Sequence, residues 1–554
     1  HALRWQGKLD DAYQAAAKAI ELAPDLADAW FNLGAVLAAQ TETALGIDAY
    51  RKALELKPDF AEAWSNLGGA LGAQGKVEQE IDAYHRALEI NPRLAPVWSN
   101  LGNALRGAGR LAEAVSACRR AVGIAPELAA SWSNLASALH EVGNHEECVA
   151  ASERALALAP RLAEAWSNLG SGLQGLNRLS DAIRAHERAI ALNPVSAEMR
   201  LNLGTTLENS GRAADAVPHY RRALEIKPDF TDAQLSLALA LLSLGKFQEG
   251  WENYECRWRH RDGEPRRYDF ASWRGDLSRP CRLLLWGEQG IGDEIIYSSM
   301  LPELAASAVE VTLECDPRLI PLFARSFGRI KFVSKKKPLP LNPADFDCQL
   351  PLASLGRWLR PSFESFPRHH GFLRADPLRA TEYRRRLLAG AGKGERIVGI
   401  SWSSANPKFG VLKSQRLLDW AGILAMSGVR FVNLQYGDTA AERDGVEKAL
   451  NLRIEHFADV DLFHDMEGLA ALVSACDLVL TVSNVTAHIA GALGRPVWML
   501  APKARGRFWY WFAGRDDSPW YPTLRIFTQH APGSWRETLD EAADALSAFA
   551  RSGP

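Results

Sequence analysis

Three short segments in the second half of the chain bring together residue types that can do chemistry. The first is Gly287-Glu288-Gln289-Gly290-Ile291-Gly292-Asp293, between the apolar run 282–286 and an apolar helical stretch over 294–306. Glycines in a strand-to-helix turn let a ligand approach the backbone closely, and the helix start offers free N–H donors. A carboxylate at this place, Asp293, can take a proton from a hydroxyl, or it can cap the helix. Gln289 stands in the same turn on the side of an acceptor. The second segment runs Ser401-Trp402-Ser403-Ser404-Ala405-Asn406-Pro407-Lys408-Phe409-Gly410, then Lys413-Ser414. Small hydroxyls and a lysine at the carboxyl edge of a sheet suit a phosphate, and a lysine can neutralise a departing nucleotide without a metal. Ser401, Trp402, Ser404 and Asn406 are the donor-binding candidates, with Lys408 and Lys413 both open as the phosphate cation. The third segment, Ser483-Asn484-Val485-Thr486-Ala487-His488, opens the helix 489–493. Backbone N–H groups there can hold phosphate, with Ser483, Asn484, Thr486 and His488 adding side-chain groups; the plainer alternative is an N-cap and a packed histidine.

These segments need sheet edges to present them, and the surrounding pattern supplies two sets. Short apolar runs at 282–286, 309–313, 330–333 and 346–350 predict one half sheet with helices between. Runs at 397–402, 429–435, 452–456, 478–482 and 497–501 predict a second, with helices at 417–426, 440–449, 466–475 and 487–493 and a final helix over 535–550. Two doubly wound halves in sequence resemble the GT-B glycosyltransferase fold, which places its active site between two Rossmann-like lobes. The first turn resembles the first loop of the ADP-heptose heptosyltransferase family, where a Gly-Asp offers its carboxylate as base toward the acceptor; the resemblance extends over 297–304 and implies that role for Asp293. Related repeat-fused transferases carry a Trp-x-x-Asn-Pro-Lys stretch similar to 402–408. The third segment resembles that family's Asp-Thr-Gly-x-x-His signature near the nucleotide, with Ser483 and Asn484 in place of Asp-Thr and Val485 in place of Gly.

The first half is periodic. Pro24, Pro58, Pro92, Pro126, Pro160, Pro194 and Pro228 follow one another at a constant step, and Trp30, Trp64, Trp98, Trp132 and Trp166 keep it. So do the Asn-Leu-Gly triplets that begin at Asn32, Asn66, Asn100, Asn168 and Asn202, with Asn134-Leu135-Ala136 a near match. The pattern resembles the tetratricopeptide repeat, antiparallel helix pairs that stack into a superhelix with a concave groove. Asn66, Asn100, Asn134, Asn168 and Asn202 recur in register, and carboxamides along such a groove can bond an extended peptide backbone. This resembles the asparagine ladder of protein O-GlcNAc transferases; the alternative is plain repeat consensus. Trp251, Tyr254, Arg257 and Trp258 look like a cap and docking surface, and 261–265 reads as a linker.

The expected organisation is an all-α tetratricopeptide superhelix (1–260), a linker (261–279) and an α/β GT-B module with an acceptor-side lobe (280–393) and a nucleotide-sugar lobe (394–554). The formal net charge of -2 gives no reason to propose nucleic acid or an acidic membrane as partner. The seven cysteines form no CxxC pair, which disfavours a disulfide framework or structural zinc. No long apolar span and no signal peptide are visible, so a cytoplasmic enzyme is expected. Asp345-Phe346-Asp347 has the spacing of a metal site but opens a strand, so the enzyme is read as metal-independent, with a nucleotide-sugar as substrate and no cofactor. The late segment from Arg505 to Tyr521 can stack a base or pack between lobes. The resemblances imply transfer of a sugar to Ser or Thr of a protein acceptor, flagellin among those modified by such fusions. Two rivals remain: a transferase acting on lipopolysaccharide or another glycan, and a repeat scaffold with a decayed transferase fold.

Overall fold

The computed structural model describes residues 8–260, 268, 270–335, 342–389, 392 and 394–551, and it divides into two compact units, residues 1–206 and 207–554. The expected linker motif 261–265 lies outside the described residues.

The first unit is made of helix pairs, such as Ala61–Ala73 with Val77–Ile90 and Ala95–Gly107 with Leu111–Ile124. The periodic proline and tryptophan serve one purpose. Each indole N–H donates to the carbonyl of the proline six residues before it: Trp64 to Pro58 at 2.9 Å, Trp98 to Pro92 at 2.9 Å, Trp132 to Pro126 at 2.8 Å and Trp166 to Pro160 at 3.0 Å. That bond satisfies a carbonyl freed where the helix ends and fixes the entry to the next repeat. The glycine of each triplet sets the spacing inside a pair. A Cβ at Gly68 would stand 2.7 Å from the Tyr84 ring, and one at Gly102 2.3 Å from the Cys118 sulfur. Ala136 breaks the triplet in the repeat where the small Ser152 stands at the position of Tyr84 and Cys118, so an extra methyl is tolerated there.

The second unit contains the last repeat helices, Ala213–Ile226, Thr231–Ser243 and Phe247–Tyr254, and two parallel sheets. The first sheet has strands β1 (Ala271–Ser272), β2 (Cys281–Trp286), β3 (Val309–Cys315), β4 (Lys331–Ser334) and β5 (Cys348–Pro351), in the order β1-β5-β2-β3-β4. The second has β6 (Arg396–Ser401), β7 (Val429–Asn433), β8 (Ile454–Glu455), β9 (Leu478–Val482), β10 (Val497–Ala501) and β11 (Leu524–Thr528), in the order β11-β10-β9-β6-β7-β8. The chain therefore winds outward in one direction from β6 and in the other from β9, and the same reversal occurs between β2 and β5. An open parallel sheet has its binding crevice at such a reversal, outside the carboxyl ends of the strands.

Several elements differ from expectation. The helix expected over 294–306 is broken into Ile291–Tyr297, a 3₁₀ turn Ser298–Met300 and Leu301–Ala305. Pro302 is the cause: it has no N–H, and its ring would clash with the carbonyl one turn back. The helix expected over 417–426 is a 3₁₀ turn Leu417–Trp420 followed by Ala421–Leu424. Helix Pro377–Leu388 and strand β11 were not anticipated.

The repeat helices join the first sheet through a buried seam. Trp251 is fully buried and donates its indole N–H to the Arg360 carbonyl at 2.9 Å. Arg257 is clamped on Glu288 by two bonds, at 2.7 and 3.0 Å, and also donates to Ser354 at 2.8 Å. Phe247 meets Phe363, Phe366 and Phe512 with ring centroids 4.9–5.7 Å apart.

Candidate functional site

The turns that follow β2, β6 and β9 meet at one cleft of about 310 Å³. After β2, Gln289 takes a left-handed backbone conformation (φ 57°), uncommon without glycine, and Gly290 opens helix Ile291–Tyr297. Asp293 sits in the first turn, half-buried, and its Oδ2 accepts the Gly290 N–H at 3.2 Å. Helix capping and exposure to the cleft are thus features of the same carboxylate. Burial pushes its pKa up to about 6; the Gly290 N–H and the Lys413 charge oppose the rise, and Glu288 adds to it.

After β6 the loop is held from beneath. The Gln435 side-chain oxygen accepts from the Ser401 hydroxyl and from the Trp402 and Ser403 N–H groups at 2.8–2.9 Å. Asn406 turns the chain by accepting from the N–H groups of Lys408 and Phe409 at 3.0 and 2.8 Å. The short helix Gly410–Lys413 then delivers Lys413 into the cleft. Lys413 is 1% exposed, its Nζ lies 3.4 Å from the Ser483 carbonyl and 3.7 Å above the Phe508 ring, and burial lowers its pKa to about 8 against the pull of Asp293.

After β9, Asn484 caps helix Val485–Ala492, accepting from the N–H groups of Thr486 and Ala487 at 3.0 and 3.4 Å. Its amide donates to the Ser401 hydroxyl at 2.7 Å and to the Ser403 carbonyl at 2.9 Å. One carboxamide therefore caps the helix and ties the turn after β9 to the turn after β6. His488 is buried, its Nδ1 3.0 Å from the Tyr521 hydroxyl; burial, with Lys413 adding, lowers its pKa to about 3, so the ring is neutral. A Cβ at Gly292 would lie 3.0 Å from the His488 ring, which explains that glycine.

The structure brings Asp293, Ser404, Asn406, Lys413, Ser483, Asn484 and His488 to the cleft. It does not bring the others there. Trp402 is buried under the loop with its indole N–H on Glu442 at 2.9 Å, and Thr486 is buried in its helix. Ser401 lies beneath the loop, held by Gln435 and Asn484. Lys408 is exposed and lines no part of the cleft. Gln289 is exposed beside it and donates to the Tyr254 hydroxyl at 2.8 Å. The late aromatic segment packs: Trp511 is fully buried with its indole N–H on Ser483 Oγ at 2.9 Å, while Phe508 and Tyr510 reach the cleft wall. Asp347, the strand-opening carboxylate, is held by Arg282 at 2.7 Å.

Sequence reading missed the other wall, made of Arg318, Tyr436, Leu462, Phe463 and Met466. Tyr436 and Phe463 have ring centroids 5.9 Å apart, and the Tyr436 hydroxyl accepts the Ala405 N–H at 3.0 Å. These residues come from three separate stretches, at Arg318, Tyr436 and Leu462 to Met466, and share no motif. Gln435 was findable, as a polar residue closing an apolar run.

In the first unit, Asn134 donates to Ser99 Oγ at 3.0 Å, Asn168 to the Ser133 hydroxyl and carbonyl at 3.0 and 2.8 Å, and Asn202 to Ser167 Oγ at 3.2 Å. Each carboxamide is thus anchored to the preceding repeat through its amide, which leaves its oxygen as the acceptor. Asn66 is half-buried and Asn100 exposed.

Models of the tetratricopeptide repeat match residues 1–59, 46–75, 61–94, 95–128, 127–194, 167–229 and 210–252. The chain is 32% identical over 329 residues to protein FlbA of Caulobacter vibrioides, covering 56% of this chain and 54% of FlbA. The chain thus spans about half the length of that relative, and the likeness reaches past the repeats. Among solved structures it is similar to the Cut9–Hcn1 assembly of the APC/C (19% identity, TM-score 0.39, 43% of this chain and 47% of that one). It is also similar to a thermophilic tetratricopeptide protein of Thermus thermophilus (24% identity, TM-score 0.31, 33% of this chain and 99% of that one).

Proposed function

We propose that the chain is a glycosyltransferase that moves a sugar from a nucleotide-sugar to Ser or Thr hydroxyls of a protein acceptor held by the repeats. The observation that carries this reading is the convergence of Asp293, Lys413 and His488 at a cleft built from the reversal points of two parallel sheets. In the reaction, Asp293 takes the hydroxyl proton as the acceptor oxygen forms a bond to the anomeric carbon. The bond from that carbon to the phosphate oxygen breaks, and its electron pair leaves with the nucleotide. Lys413, buried and cationic, stabilises the charge that develops on the phosphate. The capped start of helix Val485–Ala492 faces the same place. Neutral His488, anchored by Tyr521, serves as a hydrogen-bonding group and not as an acid.

The tetratricopeptide array supports a protein acceptor, since stacked repeats offer an extended binding surface. The anchored carboxamides of Asn134, Asn168 and Asn202 can accept from a peptide backbone without regard to its side chains. Flagellin is the acceptor to test first, because the repeat-fused transferases that the chain resembles include enzymes that modify it. Among the described residues no helix is long and apolar enough to cross a membrane. Intact-mass spectra of flagellin from cells carrying the wild type or Asp293→Asn test the reading. A glycosyl mass increment present with the wild type and absent with the variant is expected; the same mass in both removes flagellin as the acceptor.

A further inference from the structure

The first sheet and the end of the repeat array enclose a second concavity, of about 990 Å³, which shares no lining residue with the cleft. Trp258, Trp273, Trp286 and Trp358 line it, with Arg274 and Arg357. Trp258 and Trp286 meet with ring centroids 4.8 Å apart, and Trp273 and Trp358 at 5.5 Å. Trp286 donates to Gln349 at 2.8 Å, and Gln349 to Ser272 at 3.2 Å, which fixes the floor. Trp358 lies against Gly275, where a Cβ would stand 2.0 Å from its ring.

The donors of this groove lack acceptors. Among the described residues the indole N–H groups of Trp258, Trp273 and Trp358 have no hydrogen-bond partner. Arg274 and Arg357 are both exposed and have no carboxylate partner among those residues; Arg357 lies over the Trp358 ring. Clustered indoles with unused donors suit a ligand with flat C–H faces and many oxygen acceptors, and guanidinium groups suit a carboxylate. An apolar peptide would leave both features unused.

We propose that this groove binds a saccharide bearing a carboxylate, independently of the nucleotide cleft. The ring faces of the sugar lie against the indoles, its hydroxyls accept from the free N–H groups, and Arg274 and Arg357 take the acid. Calorimetric titration of the full chain with trigalacturonate, cellotriose and an oligoglutamate peptide tests this. Trigalacturonate is expected to bind at least about tenfold more tightly than cellotriose, the scale of one charge-assisted contact. Arg274→Ala with Arg357→Ala is expected to bring it down to the neutral sugar's level, and Trp358→Ala to weaken both sugars. The melting shift produced by nucleotides should be the same in these variants as in the wild type, which separates failure of the groove from failure of the cleft. Absence of saccharide binding, binding unchanged by the double arginine variant, or binding of the peptide in place of trigalacturonate overturns the proposal.

Discussion

Asp293 has two uses for one carboxylate, a bond to the Gly290 N–H and a place in the cleft, and its protonation decides which matters. Its pKa near 6 and that of Lys413 near 8 define a window. Below about 6 the base is protonated, and above about 8 the cation is lost, so kcat/KM should follow a bell between those limits. A flat profile across that range would remove the pair from the reaction. Asp293→Asn should cut transfer by at least about a hundredfold, the scale of lost acid–base help. Its folding should not suffer. The folded pKa lies above the ordinary carboxylate value, so the stabilising share belongs to the protonated carboxyl and is lost as pH rises through about 6 and the carboxylate forms. A neutral amide avoids that loss, and the variant's melting temperature at neutral pH should equal or exceed the wild type's.

At the scale of elements, the loops owe their positions to two carboxamides, Gln435 and Asn484. Asn484→Ala removes a helix cap, worth about 1 kcal/mol. It also leaves the Ser401 hydroxyl and Ser403 carbonyl without a donor, a further cost for groups so buried. The melting temperature should fall, and nucleotide affinity with it; a variant that melts lower but binds nucleotide as before would show that the two turns need no tie. Asn484, which at the sequence level looks like decay of a family signature, has a structural account in that bridge, and Ser483 has one in the Trp511 indole N–H that its hydroxyl accepts at 2.9 Å. Regular elements were legible where apolar runs are uninterrupted, as at β10. Strand β11 was not, because Arg525 interrupts a short run. The cleft's Asp293 side was legible because local Gly-Asp chemistry marks it. The wall of Tyr436 and Phe463 was illegible because only the fold brings it there. In the repeats, Asn134→Ala, Asn168→Ala and Asn202→Ala together should weaken acceptor binding and lower array stability, since each neutral bond contributes only about 0.5–1.5 kcal/mol. Replacing Ser99, Ser133 and Ser167 by Ala keeps the carboxamides but frees their orientation. If acceptor binding survives both sets, the acceptor docks elsewhere.

At the scale of the whole molecule, periodicity runs to about 260, whereas the compact unit that holds the sheets begins at 207. The last repeat helices are structural parts of the α/β region, sealed by Trp251 and by the Arg257–Glu288 pair, whose Glu288 sits in the turn that leads to Asp293. Removing one partner of a buried pair is expected to cost about 3–5 kcal/mol, because the other charge is left buried alone. Arg257→Met should therefore lower both stability and activity, and Arg257→Met with Glu288→Met should recover much of the stability. The proposed transfer requires the cleft to be a nucleotide site, and melting of the full chain with each nucleoside diphosphate in turn tests that most directly. At least one should raise the melting temperature in a concentration-dependent way, and Lys413→Ala should abolish the shift. No shift with any nucleotide, or an undiminished shift in Lys413→Ala, would contradict it.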